Sequence, residues 1–130
     1  RTRLLGVSSW LSPGLGREPP LVGAWFAASR TEAGLDFERR YKELYGVTPH
    51  DLAALAYDAT ALAAVLSRGE NGGDFSDIAL TSPNGFAGTA GIFRFQANGQ
   101  VQRGLAVMEV EPWRFREVSP SPETFEALAN

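Results

Sequence analysis

At 130 residues the chain is one domain or part of one, which excludes a two-domain enzyme. Its 44% hydrophobic, 11% aromatic and 21% charged residues make an ordinary globular mixture, able to build one real core and unlike a disordered chain. Twelve basic against fifteen acidic residues give a net charge of −3 with no basic cluster, which argues against nucleic acid and anionic membrane as partners.

Residues 3–8 (Arg-Leu-Leu-Gly-Val-Ser) read as a short buried strand that ends in polar residues. Ser12-Pro13-Gly14-Leu15-Gly16 and Pro19-Pro20 break regular structure. Leu21 to Ala28 is apolar on both faces, the pattern of a strand covered by helices, and two such runs with a long connection predict parallel pairing in an α/β sheet. Asp36 is the expected N-cap of a helix over 37–45, with Phe37, Tyr41, Leu44 and Tyr45 on one face, a Glu38–Lys42 pair, and Gly46 as the stop. Thr48-Pro49-His50-Asp51 starts a second helix over roughly 50–68. Its seven alanines (53, 54, 56, 59, 61, 63, 64) predict a central, heavily packed helix.

Asp74, with Asp77 three residues on, caps a short helix through about Leu80. Ile92–Gln96, Asn98-Gly99 and Val101–Val110 form a hairpin signal, because Asn-Gly tolerates the positive φ of a type I′ turn. A third strand is expected at Arg114–Val118. Ser119-Pro120-Ser121-Pro122 is then a stiff spacer before a half-helical stretch over 123–129. The chain divides accordingly into a body, 1–118, and a tail, 119–130. There is no internal repeat, and no apolar stretch approaches the ~20 residues that span a bilayer. The only Met is Met108 and no signal peptide is present, so the expectation is a processed or truncated product.

Two composition facts restrict the chemistry. Zero Cys removes disulfides, thiol nucleophiles, Cys-zinc sites and iron–sulfur clusters, while leaving the compartment open. A single His, His50, excludes a metal site or dyad built on two imidazoles. His50 falls in the first turn of a helix, where a solvent-facing role is expected over catalysis. Gly14-Leu15-Gly16 has no third Gly and opens no helix, so it is a loop and not a dinucleotide fingerprint. Glu70, Asn71, Asp74 and Asp77 miss the spacing of a calcium loop and read as a solvated loop with caps. No cofactor and no metal site is expected.

Asp58 lies mid-helix at the edge of the apolar face, and a partly buried carboxylate there needs donors. Structural anchoring of a neighbouring loop is expected over catalysis. Ser8, Ser9 and Trp10 are the candidate ligand-binding residues: they end the first strand, where open α/β sheets bind ligands, and hydroxyls beside one large aromatic suit a small polar ligand with an apolar part. The alternative is that Ser8 and Ser9 start the turn while Trp10 packs against the sheet.

Several motifs occur in a familiar order: Arg3-Leu-Leu-Gly-Val-Ser-Ser-Trp10, Gly23-Ala-Trp-Phe-Ala27, Phe37-x3-Tyr41-x3-Tyr45-Gly46 with Pro49, Leu55-Ala-Tyr-Asp-Ala59, and Gly85-Phe-Ala-Gly-Thr-Ala-Gly-Ile-Phe-Arg-Phe95. The series resembles the C-terminal part of type I periplasmic binding proteins, the leucine/isoleucine/valine-binding family, and within it the penicillin-binding-protein activator lipoproteins. The resemblance implies an α/β fold with two lobes and a ligand cleft, of which this chain supplies the C-terminal portion: parallel strands with packed helices, then a β-hairpin.

It further implies a non-enzymatic periplasmic module, lipid-anchored in the activator branch, in which Ser8, Ser9 and Trp10 reach a small amino-acid-like or peptidoglycan-derived ligand. The implied partner is an ABC permease, or a penicillin-binding protein in the activator reading. The acidic residue that branched-chain binders use for an ammonium has no counterpart among residues 7–11. Strands apolar on both faces also lead to an expectation of self-association.

Overall fold

The computed structural model describes residues 2–12, 14–69 and 72–126. Its first sheet has the order β1 (Leu5–Gly6), β2 (Trp25–Ala28), β6 (Ala106–Glu111), β7 (Arg114–Ser119). β1 and β2 are parallel, as the two apolar runs predict, whereas β2–β6 and β6–β7 are antiparallel. Alternation decides the buried face: Phe26 and Ala28 of β2 and Ala106, Met108 and Val110 of β6 point inward with Ala24, joined by Trp10, Leu15, Leu21 and Phe115.

Both opening strands are shorter than the apolar runs that encode them. Pro19-Pro20 fix φ and supply no N–H, so Pro19–Leu21 forms a 3-10 turn, and Gly23 at φ +87° delays β2 to Trp25. Helix α1 (Glu32–Tyr45) begins earlier than expected: its cap is Thr31, whose hydroxyl accepts the Gly34 N–H at 2.9 Å. Asp36 instead pairs with Arg39 and Arg40 one turn on. Gly46, at φ +72°, ends α1 as read from the sequence.

Helix α2 (Ala53–Leu66) starts later than its Thr-Pro signal, because His50 Nδ1 accepts the Leu52 N–H at 3.2 Å and holds residues 51–52 as a turn. The expectation of a heavily packed α2 is overturned. Asp58 alone on this helix is buried, and Tyr57 and Val65 are exposed, because the three-stranded second sheet covers only part of its surface.

Helix α3 (Asp77–Leu80) is capped by Ser76, and Asp74 accepts the Ser76 N–H at 2.9 Å in the turn before it. The second sheet is β3 (Phe86–Gly88), β4 (Gly91–Phe95), β5 (Val101–Arg103), all antiparallel. A hairpin at Asn98-Gly99 joins β4 to β5 as predicted, but not through the expected type I′ turn: Gly99 alone takes a positive φ, +83°, and the turn spans 96–99, closed by the Gly99 N–H to the Gln96 carbonyl at 2.9 Å. The expected strand Val101–Val110 is two strands in two sheets. The break falls at buried Gly104, where an added Cβ would lie 2.7 Å from Ile92 and from Pro122. β5 thus closes the second sheet, and β6 returns to the first.

Beyond β7 the chain folds back: Ser121 Oγ donates to the Arg30 carbonyl at 3.2 Å, and Phe125 is buried under the Arg94 guanidinium. The half-helical stretch expected over 123–129 lies partly outside the described residues. Among those described, no helix is long and apolar enough to cross a membrane.

Candidate ligand-binding cleft

Ser8–Trp10 forms a 3-10 turn directly after β1, closed by Trp10 N–H to the Val7 carbonyl at 2.9 Å and Leu11 N–H to that of Ser8 at 3.0 Å. Ser8 and Ser9 are exposed. Trp10 is half-buried, its ring covering Gly6 and tilted against Phe26 at 6.3 Å between centroids. The next residue, Leu11, enters a cleft of about 610 Å³. One wall of that cleft is Leu11, Gly16 and Trp113–Phe115 from the β6–β7 hairpin. The other is Leu35, Phe37 and Glu38 of α1 with residues 48–51 before α2.

Residues 29–31 and 89–90 meet along this cleft and are cross-linked. Ser29 Oγ donates to the Ala90 carbonyl at 2.5 Å, and Thr31 Oγ1 donates to the Thr89 carbonyl at 2.6 Å. Beneath them Asp58 accepts from Thr89 N–H (2.7 Å), Thr89 Oγ1 (2.8 Å) and Ala90 N–H (3.0 Å). A buried carboxylate with three donors is satisfied and fixed. The small residues matter here: a Cβ on Gly34 would sit 2.9 Å from the Thr89 carbonyl, and one on Gly88 would strike the Asp58 carboxylate. The cleft therefore rests on a tied bed connecting the first sheet, α1, α2 and the β3–β4 turn.

Its chemistry is mixed. Leu11, Leu35, Phe37 and Phe115 supply apolar surface; Arg30, His50, Glu38 and Asp51 supply charge or donors. His50 Nδ1 is occupied by the Leu52 N–H, so the neutral ring carries its proton on Nε2. A small ligand with an apolar body and one charged end fits this balance. Away from the cleft lining, the Glu109 carboxyl is held below its usual value, chiefly by the Trp25 indole N–H at 2.8 Å and then by the Arg116 and Arg3 charges, with burial opposing.

Of the residues singled out from sequence, Ser8, Ser9 and Trp10 share one turn at the cleft's Leu11 side. Asp58 is remote from them on α2. None of the four is among the cleft-lining residues. Those missed were Leu11, Thr31, Thr89 and Trp113. Thr31 was findable, since Thr31-Glu32 is a cap followed by a first-turn acid. Trp113 follows Pro112 in a turn that carries no motif.

This architecture is that of part of a type I periplasmic-binding-protein domain. No family model and no curated protein matches the chain. Solved structures do. A Rhodospirillum rubrum protein described as a branched-chain amino acid ABC transporter is 28% identical over 89% of this chain and 37% of its own, with a TM-score of 0.74. The leucine-binding protein LivK of Thermotoga maritima is 24% identical over 92% of this chain and 37% of its own, at a TM-score of 0.55.

LivJ of Streptococcus pneumoniae, a branched-chain amino acid transporter substrate-binding protein solved with isoleucine, is 20% identical over 92% of this chain and 38% of its own, also at 0.55. At those identities the latter two speak to the fold alone. The chain spans well under half the length of each protein it is similar to.

Proposed function

We propose that the chain is part of a non-catalytic, periplasmic solute-binding module that delivers a small ligand to an ABC-type membrane permease. The observation that carries this reading is the cleft lined by Leu11, Gly16 and the β6–β7 hairpin together with α1 and the 48–51 segment, set in a fold shared with transporter-associated binding proteins. Residues 1–118 form the body of the module and 119–130 its tail. Ser8 and Ser9 provide hydroxyls at the cleft's Leu11 side, Trp10 holds their turn against the sheet, and Asp58 fixes the bed. The lack of an acid at residues 7–11, with Arg30 lining the cleft, favours a ligand carrying a carboxylate over one held by its ammonium.

Calorimetric titration of the full chain with leucine, isoleucine, benzoate and a peptidoglycan stem peptide tests the reading. Saturable one-to-one binding of at least one small acid is the expected result. No heat with any of the four sinks the solute-binding reading, and retention of a penicillin-binding protein by that same inert chain would move the assignment to partner regulation.

A further inference from the structure

No basic cluster stands in the sequence, but the fold assembles one from three segments. Alternation along β6 turns Glu109 and Glu111 to the outer face of the first sheet, away from Met108 and Val110. There Glu109 Oε2 accepts from Arg116 Nη2 at 2.9 Å and lies 3.5 Å from Arg3 Nη1. Glu111 pairs through one oxygen with Arg116 at 2.9 Å and through the other with Arg114 at 2.6 Å. Trp113 precedes Arg114 in the β6–β7 turn, and the Arg17 guanidinium stands 5.6 Å from its ring centroid. Four exposed arginines thus surround two carboxylates. Even with neighbouring Glu18 counted the cluster is cationic, so the chain's net charge of −3 resides elsewhere.

The cluster ends at a strained hairpin tip. Trp113 has the only positive φ of any non-glycine described residue, +67°, at the second position of the two-residue turn Pro112-Trp113. Gly or Asn ordinarily stands there, because a Cβ in left-handed backbone crowds the following carbonyl. The tip is clamped: the Trp113 N–H donates to the Gly16 carbonyl at 3.1 Å, and a Cβ on Gly16 would sit 2.9 Å from Trp113 N. Its indole is 75% exposed. It lies at the opposite end of β6 from Ser29–Thr31, since Ala106 at the start of β6 pairs with Ala28. Leu4 and Val22 are exposed at that same end, where the Trp25 N–H donates to the Leu4 carbonyl at 3.0 Å and the Gly23 N–H to that of Val110 at 2.8 Å.

We propose that this end of the first sheet is a peripheral docking surface for an anionic lipid bilayer, with Trp113 seated among the headgroups and Arg3, Arg17, Arg114 and Arg116 facing lipid phosphates. Charge complementarity decides the occupant. Each guanidinium carries five N–H donors, and the two glutamates take only some of them, which leaves donors for phosphate oxygens. An exposed indole beside them matches the second thing a bilayer surface offers, an interface that favours Trp. Among the described residues no helix is long and apolar enough to cross a bilayer, so the contact is with its surface. The proposal does not depend on what the cleft holds.

The test is flotation of the full chain with vesicles of equal parts phosphatidylglycerol and phosphatidylcholine, set against vesicles of phosphatidylcholine alone. The parent is expected to float with the anionic vesicles, to stay in solution with the neutral ones, and to be released by salt at about 0.5 M. Trp113→Gly relieves the positive φ and is expected to stay folded while its vesicle affinity falls about tenfold, the scale of one large apolar side chain kept in water. Arg17→Gln leaves the turn backbone untouched and is expected to lower affinity about fivefold. A parent that stays in solution with the anionic vesicles overturns the proposal and leaves the tip to a protein contact. Equal flotation with both vesicle types also overturns it, because the arginines would then play no part. So does either variant floating as the parent does.

Discussion

One oxygen of Asp58 accepts both the backbone N–H and the hydroxyl of Thr89, at 2.7 and 2.8 Å, while its other oxygen takes the Ala90 N–H at 3.0 Å. Asp58 is only 4% exposed, so α2 holds a charged group whose sole role in the fold is to fix a β-turn some thirty residues further along the chain. The turn in turn accepts from Ser29 and Thr31, which makes the carboxylate the anchor of the whole cleft bed.

Asp58→Ala is therefore expected to lower stability by about 1–3 kcal/mol, the effect of leaving buried N–H groups unpaired. Gly88→Ala should weaken the same anchor from the other side, since its Cβ would displace the carboxylate. Urea denaturation of both variants checks this. An unchanged midpoint for Asp58→Ala would show that the turn holds itself.

Trp10 and its two serine neighbours are expected to separate fold from binding. The Trp10 ring covers Gly6 and Phe26, so Trp10→Ala should cost about 2 kcal/mol of stability by loss of half-buried aromatic surface. Ser8 and Ser9 are exposed, so alanine at either should leave the midpoint within about 0.5 kcal/mol. If they touch ligand, those same alanine variants weaken it. A stable Trp10→Ala chain in thermal denaturation would refute the packing role.

Glu109 sets a pH dependence with a definite sign. Its folded-state value is depressed by the Trp25 indole N–H first and then by Arg116 and Arg3. A depressed carboxyl contributes stability that is fully present above its unfolded value and is lost as pH falls through the folded one. Glu109→Gln should therefore be less stable than the parent at neutral pH, with the difference closing below about pH 4. Denaturation at pH 7 and pH 3 measures it. An equal gap at both values would assign the loss to packing rather than charge.

The sequence was most legible where local chemistry decides structure. Gly46 as a helix stop, Asn98-Gly99 as a hairpin turn and the two apolar runs as parallel neighbours each depend on residues close in the chain. It was least legible where a distant contact wins. Nothing local in Val101–Val110 reveals that Gly104 must fit between Ile92 and Pro122, which splits one apparent strand between two sheets. The candidate site divides the same way: a Ser-Ser-Trp turn after a strand can be read directly, whereas Trp113 reaches the cleft only because the 15–17 turn clamps its hairpin.

Surface area leads to the last prediction. The chain exposes 9218 Å², roughly 2,500 Å² more than a compact monomer of this mass is expected to show. Large apolar side chains contribute to it: Ile78 is 86% exposed on α3, Leu5 is 77% exposed on the edge strand β1, and Val65 stands out on α2. A parallel strand with exposed leucines and an open edge invites a further strand, and an alanine-rich helix with bare apolar side chains invites another surface. Two copies each covering such an excess would bury about 5,000 Å², at the upper end of obligate dimer interfaces.

The chain is therefore expected to associate with a second copy at micromolar concentration, with Ile78→Glu and Val65→Glu shifting the equilibrium toward monomer by placing charge in the contact. Sedimentation equilibrium of the parent and of each variant measures the shift. A monodisperse monomer that unfolds cooperatively, unaltered by either glutamate, would show that these faces are stable in water as they stand.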